Sequence, residues 1–346
     1  LTKTNNKNTY KKVTLKDVAQ KAGVSYASVS AVLNNASENS IRVGENTKHK
    51  ILAAADILGY VPDVTARSLK SGKKSLIAVF TYEKNFPVKS DNEFYAFFAG
   101  VQEQAEQLGY DLLIINRRNT VDDTFSRVLF ADGAIVIGVH KDTESIKTLV
   151  KHRFPIVFIG RREFEGIKTN WITFNYRPVI YELIGHLCSI GAESILYIED
   201  TDSISEAAED KKHFLYAAAA ESRLNISVYA LPRNVYTRES IASIQNARIV
   251  ILSRISQIAS FEALCNKLHI EIGHDLLAAV LEDDWTGLFS HWTRWSNRRM
   301  ELGSGAVDLL IKLCTNAASE LQDTAIKPEL IKGKTTLGYA VAAQSL

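Results

Sequence analysis

The chain has 346 residues, 46% of them hydrophobic, with 41 Lys and Arg against 39 Asp and Glu and a formal net charge of +2. That length exceeds one small core and predicts two or three domains, with enough apolar residues to fill them. The absence of any run of about 18 apolar residues excludes a helical membrane span.

The first 12 residues are polar, carry no apolar signal-peptide core, and predict a disordered leader. The three cysteines, Cys188, Cys265 and Cys314, make no Cys-x-x-Cys pair, so free thiols in a reducing cytoplasm are expected. Residues 13 to 34 predict two short helices joined by a tight turn. Thr14 can cap the first helix, with Asp17 three residues on as the acid of a capping box. Val18, Ala19 and Ala22 give it an apolar face. Gly23 stands where positive φ is needed to leave the helix. Ser25 can cap the second helix, in which Val29, Val32 and Leu33 turn inward at i, i+3 and i+4. Tyr26, Ala27, Ser30 and Ala31 are left on the outer face.

The string from Thr14 to Asn34 resembles the lac repressor / gal repressor family of bacterial regulators, with Ser28 where that family has Thr. The resemblance implies that the second helix enters a DNA major groove. Tyr26, Ala27 and Ser30 would then contact bases or nearby phosphates, while Thr14, Ser25, Ser28 and Asn34 would bind phosphate or reinforce helix ends. Leu15, Thr47 and Tyr60 complete the expected headpiece contacts. Ala31 stands where the family often carries a large polar reader. It can touch a thymine methyl but cannot make a bidentate contact. Charge is distributed accordingly: residues 1–74 hold 13 Lys and Arg against 5 Asp and Glu, a balance of +8, and the remainder carries −6. A basic head on an acidic body suits a head that meets phosphates.

Residues 34–43 read as a polar loop, and Glu45 to Leu58 as a third helix presenting Ile51, Leu52, Ala55 and Leu58. The headpiece thus spans 13–59, followed by a hinge and linker over 60–74. Pro62 and Asp63 suit a helix start, and about two turns follow before Gly72. By the resemblance this is a hinge helix, two copies of which meet in the minor groove. Leu69 would wedge into a base step, flanked by Ala66 and Lys70.

From Ser75 short apolar runs alternate with amphipathic stretches, which predicts parallel sheets covered on both faces. Strands are expected at 76–80, 112–115, 133–137, 156–159, 195–198, 227–231, 249–252 and 277–281, with helices over 94–108 and 302–310. The overall fold class is therefore α/β: an all-α helix-turn-helix headpiece plus, by the resemblance, a core like the periplasmic binding proteins. That core would have two subdomains, about 75–172 with 303–333 and about 173–302 with 334–346.

The resemblance further implies a small-molecule effector in the cleft between them. Phe94 matches a common family aromatic, and Asp283 the Asp of a Gly-[FY]-Asp motif, with Trp285 beside it. Tyr82 and Glu83 follow the first strand. Arg161, Lys212 and Arg254 depart from the family pattern and predict a cleft more basic than usual. A sugar, a sugar phosphate or another anionic metabolite would fit, and a vestigial or non-sugar site is the alternative.

No metal spacing, nucleophile elbow or phosphate loop is present, so no cofactor and no enzyme activity is expected. Asp283 and Asp284 are adjacent and cannot flank a scissile bond. Two classes remain: a repressor of carbohydrate-use genes that binds a palindromic operator in double-stranded DNA as a homodimer, and a solute-binding protein for sugars. The basic headpiece and the polar leader favour the first.

Overall fold

The computed structural model describes residues 13–33, 43–61, 72–81, 92–115, 127–138, 144–202, 205–232, 235–296, 298–315 and 324–337. The leader, most of the 34–43 loop, the hinge segment 62–71, and the pair Tyr82 and Glu83 lie outside the described residues. The chain divides into two compact units, Leu1–Lys74 and Ser75–Leu346.

The first unit has three helices, α1 (Leu15–Ala22), α2 (Tyr26–Leu33) and α3 (Glu45–Leu58). Thr14 closes a capping box with Asp17: the Thr14 amide donates to the Asp17 carboxylate at 2.8 Å, and the Asp17 amide donates to the Thr14 hydroxyl. Gly23 ends α1 at φ 67°, a left-handed conformation that glycine adopts without a Cβ penalty. The Ser28 amide donates to the Ser25 hydroxyl at 3.2 Å, capping α2. Val18, Ala19, Val29, Ile51, Ala54 and Ala55 form the core. One expected core residue is corrected. Leu52 is 45% exposed and Ala54 takes its place, because the inward stripe of α3 runs 51, 54, 55, 58 and residue 52 falls beside it.

The second unit contains two six-stranded sheets. Sheet one joins β1 (Leu76–Thr81), β2 (Asp111–Ile115), β3 (Gly133–Ile137), β4 (Ile156–Ile159), β5 (Trp171–Phe174) and β11 (Thr324–Ile326), in the order β11-β5-β4-β3-β1-β2. Sheet two joins β6 (Ser194–Asp200), β7 (Asn225–Leu231), β8 (Ile249–Leu252), β9 (Leu277–Asp283), β10 (Thr293–Trp295) and β12 (Leu330–Ile331), in the order β12-β10-β9-β8-β6-β7. All pairings are parallel except β10 with β12. The two sheets repeat one winding order. The central strands β3, β4, β8 and β9 are buried throughout, the burial expected of parallel strands with both faces covered. The edge strand β7 mixes exposed and half-buried positions.

The covering helices are α4 (Tyr95–Gln107), α5 (Glu144–Lys151), α6 (Tyr176–Ser189), α7 (Glu206–Glu221), α8 (Arg238–Asn246), α9 (Ile258–Lys267) and α10 (Arg299–Cys314). Helices α4 and α10 pack closely, because Gly100 and Gly303 leave room for backbone: a Cβ on Gly303 would collide with the Phe97 carbonyl oxygen. The chain crosses between sheets three times, after β5, after β10 and after β11. Two expected boundaries move. Helix α10, expected over 302–310 with the subdomain boundary at about 303, packs against α4, β3, β4 and β5 and already begins at Arg299. Return to sheet two comes before 334, because Leu330 already pairs with Trp295 and caps the sheet edge.

Candidate functional site

On the headpiece, α2 leaves Tyr26 53% exposed, with Ala27 also exposed. Ser28, Ser30 and Ala31 are half-buried, as is Thr47 near the start of α3. Thr14 and Ser25 spend their hydroxyls partly on capping. Leu15 and Tyr60 pack against the headpiece core. Of the expected contacts here, Asn34, Ala66, Leu69 and Lys70 fall outside the described residues.

In the second unit, the carboxyl ends of the strands of both sheets converge on one cavity of about 480 Å³. Gly138 follows β3, Ile159 and Gly160 end β4, and Thr173 and Phe174 end β5. Opposite them, Glu199 and Asp200 end β6, Ser253 and Arg254 follow β8, Glu282 and Asp283 end β9, and Trp295 ends β10. Ligands of open α/β sheets bind outside these ends, where strand order reverses and loops part. Phe94, Phe97, Phe174, Tyr176, Tyr197 and Trp295 supply aromatic walls.

The floor is a buried charge network. Arg299, the first residue of α10, donates two hydrogen bonds to Asp283 at 2.7 and 2.6 Å. Its guanidinium lies 4.7 Å from the Trp285 ring and 5.1 Å from the Phe97 ring. Arg254 donates to Glu93 at 2.8 Å and lies 3.7 Å from Glu282. Lys211 donates to the Leu281 carbonyl at 3.0 Å and lies 4.0 Å from Glu282. Burial pushes the Lys211 ammonium down from the usual lysine range against the pull of Glu282. Burial also works against the Glu282 charge, but Lys211, Arg254 and Arg299 outweigh it and hold the carboxyl below its ordinary value. Tyr176 and Tyr197 are raised by desolvation and stay neutral.

The expected site residues of the core are brought together only in part. Phe94, Arg254 and Asp283 line the cavity, although both Asp283 oxygens are taken by Arg299. Trp285 does not line it; the ring supports Arg299 from behind. Arg161 lies outside the lining and binds Asp210. Lys212 also lies outside, holding Glu199 at 2.8 Å, and Lys211 faces the cavity instead. One residue on a helix is a rotation of about 100°, so a motif aligned one position off selects the wrong side chain.

The expected basic cleft is also corrected. The described lining carries six carboxylates (Glu93, Glu199, Asp200, Asp202, Glu282, Asp283) and three cations (Lys211, Arg254, Arg299). Each cation already has an acidic or carbonyl partner. No surplus of cations among the described lining residues is left to favour a phosphorylated ligand. Sequence reasoning missed Glu93, Glu282 and Arg299 altogether. Arg299 is 16 positions from Asp283 and Glu93 is 161 from Arg254, and no local pattern links such pairs. Asp284 is structural: its carboxylate accepts the amides of Thr286, Gly287 and Phe289. Among the described residues no cluster of His, Cys, Asp and Glu suits a metal, and no helix is long and apolar enough to cross a membrane.

Residues 14–63 match the family model described as bacterial regulatory proteins, lacI family. The chain is 24% identical over 340 residues to the transcriptional regulator RegA of Clostridium saccharobutylicum, covering 93% of this chain and 99% of that one. It is 27% identical over 339 residues to the transcriptional repressor PurR of Photobacterium profundum, covering 93% and 98%. Among solved structures it is similar to the lac repressor dimer bound to operator and the anti-inducer ONPF. There the TM-score is 0.74 at 22% identity, over 94% of this chain and 100% of that one.

The Glu282 network should make the core acid-sensitive. A carboxyl with a depressed folded pKa stabilises fully above its ordinary value, about 4.3, and the contribution is lost as pH falls through the folded value. The melting temperature should therefore drop as pH is lowered from about 5 to about 3. Glu282→Gln should flatten that drop and also lower the melting temperature at neutral pH, by leaving Lys211 and Arg254 without their shared carboxylate. Calorimetry across the pH range checks both.

Proposed function

We propose that this chain, a regulator of the lacI family with its DNA-binding domain at residues 14–63, is a repressor of carbohydrate-use genes, working in the cytoplasm as a homodimer on a near-palindromic operator. The observation that carries this reading is the capped helix pair with Tyr26 and Ala27 exposed along α2, set in a segment of balance +8. Such a head neutralises phosphates through its cations and reads base edges through α2. A solute-binding protein has no use for it. The family resemblance of residues 60–72 supports a hinge helix with Leu69 as its wedge, flanked by Ala66 and Lys70.

The cleft supports a small neutral effector, a sugar in preference to a sugar phosphate. Aromatic walls stack on pyranose faces, and side-chain carboxylates and hydroxyls bond to sugar hydroxyls. Six carboxylates against three cations leave the lining with an acidic excess, which would repel phosphate. Nothing in the described cleft pairs a nucleophile with a base, and four of its six acids (Asp283, Glu93, Glu282 and Glu199) are engaged with Arg299, Arg254, Lys211 and Lys212.

Three measurements test these assignments. Operator selected from random DNA should lose roughly 1–3 kcal/mol of binding on Tyr26→Ala, the usual cost of a good base contact, while random DNA binds as before. Equal weakening on both would mean that α2 is not the reader. Leu69→Ala should reduce operator bending and specific affinity, with the salt slope of non-specific binding preserved, because that slope counts phosphate contacts. Unchanged bending at unchanged affinity would remove the hinge-helix assignment. In a thermal-shift screen, neutral sugars should raise the melting temperature of the core more than their phosphate esters do; the reverse order would overturn the effector class.

A further inference from the structure

The two subdomains of the core are tied across the cleft by arginine–carboxylate pairs, each with its cation on one side and its acid on the other. Arg161, on the loop after β4 in sheet one, binds Asp210 of α7 on the sheet-two side with hydrogen bonds of 3.0 and 2.8 Å. Its neighbour Arg162 reaches Glu206, one turn earlier on α7, at 3.3 Å, and also donates to the Gly138 carbonyl. Arg254, after β8, binds Glu93 ahead of α4 at 2.8 Å. Arg299, at the start of α10, binds Asp283 of β9 at 2.7 and 2.6 Å.

We propose that these four pairs are a latch that holds the cleft closed without an effector, so that the protein's own charges do the bridging that a ligand does in an open-cleft binder. A single exposed ion pair contributes little, because hydration competes with it and salt screens it. These pairs are different. The contacts of Arg161 and Arg299 are two-pronged, which couples strength to orientation. Arg161 and Asp210 keep 23% and 25% side-chain exposure, so their desolvation cost is partial. Arg299 and Asp283 retain 7% and 3%, but the arginine also lies within 5.1 and 4.7 Å of the Phe97 and Trp285 ring centroids. All four pairs join one subdomain to the other, so separating the subdomains would strain all of them. An effector would enter a core that is already closed and would act by displacing or straining the latch.

The consequence for DNA affinity rests on the regulator reading above, whereas the latch itself does not. The test is hydrogen–deuterium exchange on the full chain with no sugar added. Asp210→Lys sets a like charge against Arg161. Backbone amides on both lips of the cleft, residues 159–163, 199–202 and 205–211, should then exchange about tenfold faster, as expected for converting a two-pronged attraction into a repulsion. Amides of β3 and β8 should stay as protected as in the parent, which separates opening from unfolding. The swapped double variant Arg161→Asp with Asp210→Arg should restore lip protection; Glu163, 68% exposed beside Arg161, can turn to water in it. Raising salt from about 0.1 to about 1 M should speed lip exchange in the parent, since the partly exposed pair is screened. Lip segments that exchange as fast in the parent as in Asp210→Lys, or a swap that restores nothing, would overturn the latch. Operator binding of the same proteins is read separately: its loss in the parent would defeat the regulator reading and leave the latch standing.

Discussion

The buried contact between Arg299 and Asp283 is the constraint around which the core is arranged. It joins the first turn of α10, which covers sheet one, to the last residue of β9 in sheet two. A buried guanidinium is tolerable only when its charge and its hydrogen-bond donors are met. Here the carboxylate takes two donors, the Glu93 carbonyl accepts another, and the Phe97 and Trp285 rings lie close to the guanidinium. The position of α10 follows from this and from Gly303, which lets the helix approach Phe97 and Val101 backbone to backbone. That approach sets where the ends of β4 and β5 meet those of β6, β8 and β9.

Charge in this chain is therefore used at two scales. The headpiece carries a surplus of cations that suits a polyanion. The core carries a surplus of acids, and the cations it does place in the cleft are committed to them. The neutral effector proposed above follows from that excess of acids. The two halves of the chain also differ in what their polar side chains do. In the headpiece they cap helices, as Thr14 and Ser25 do. In the core they connect elements distant in sequence, as do His186, Thr293 and Thr336, whose side chains form one buried hydrogen-bonded string between α6, β10 and the segment after β12.

The likeness to the lac repressor dimer is one of fold, and its 22% identity shows how far side chains have moved within one architecture. Arg299, Glu93 and Lys211 sit at the centre of the cleft, and none was reached by matching motif strings. Glu199 and Asp200 close the β6 wall, while Lys212, the motif's choice, turns outward to hold Glu199. A cleft can keep its position while its chemistry changes, because position is set by strand order and chemistry by a few residues on strand ends.

The sequence by itself determined the headpiece and the class of the core. Capping at Thr14, the left-handed exit at Gly23, the inward valines of α2 and the span of α3 are local properties, legible within a few residues, and the structure has them all. The buried strands β1, β3, β4, β8 and β9 were legible for a similar reason: a strand covered on both faces is a continuous apolar run. Short pieces such as β10 and the edge strands β11 and β12 were not, since two or three residues carry no period and form only where a neighbouring strand offers free backbone groups. Only the tertiary structure decided the charge of the cleft, the choice of Lys211 over Lys212, and the cross-cleft pairing of Arg161, Arg162, Arg254 and Arg299. Each depends on which face of an element turns inward and on which distant carboxylate it meets, and pairings over tens to hundreds of residues leave no mark on local pattern.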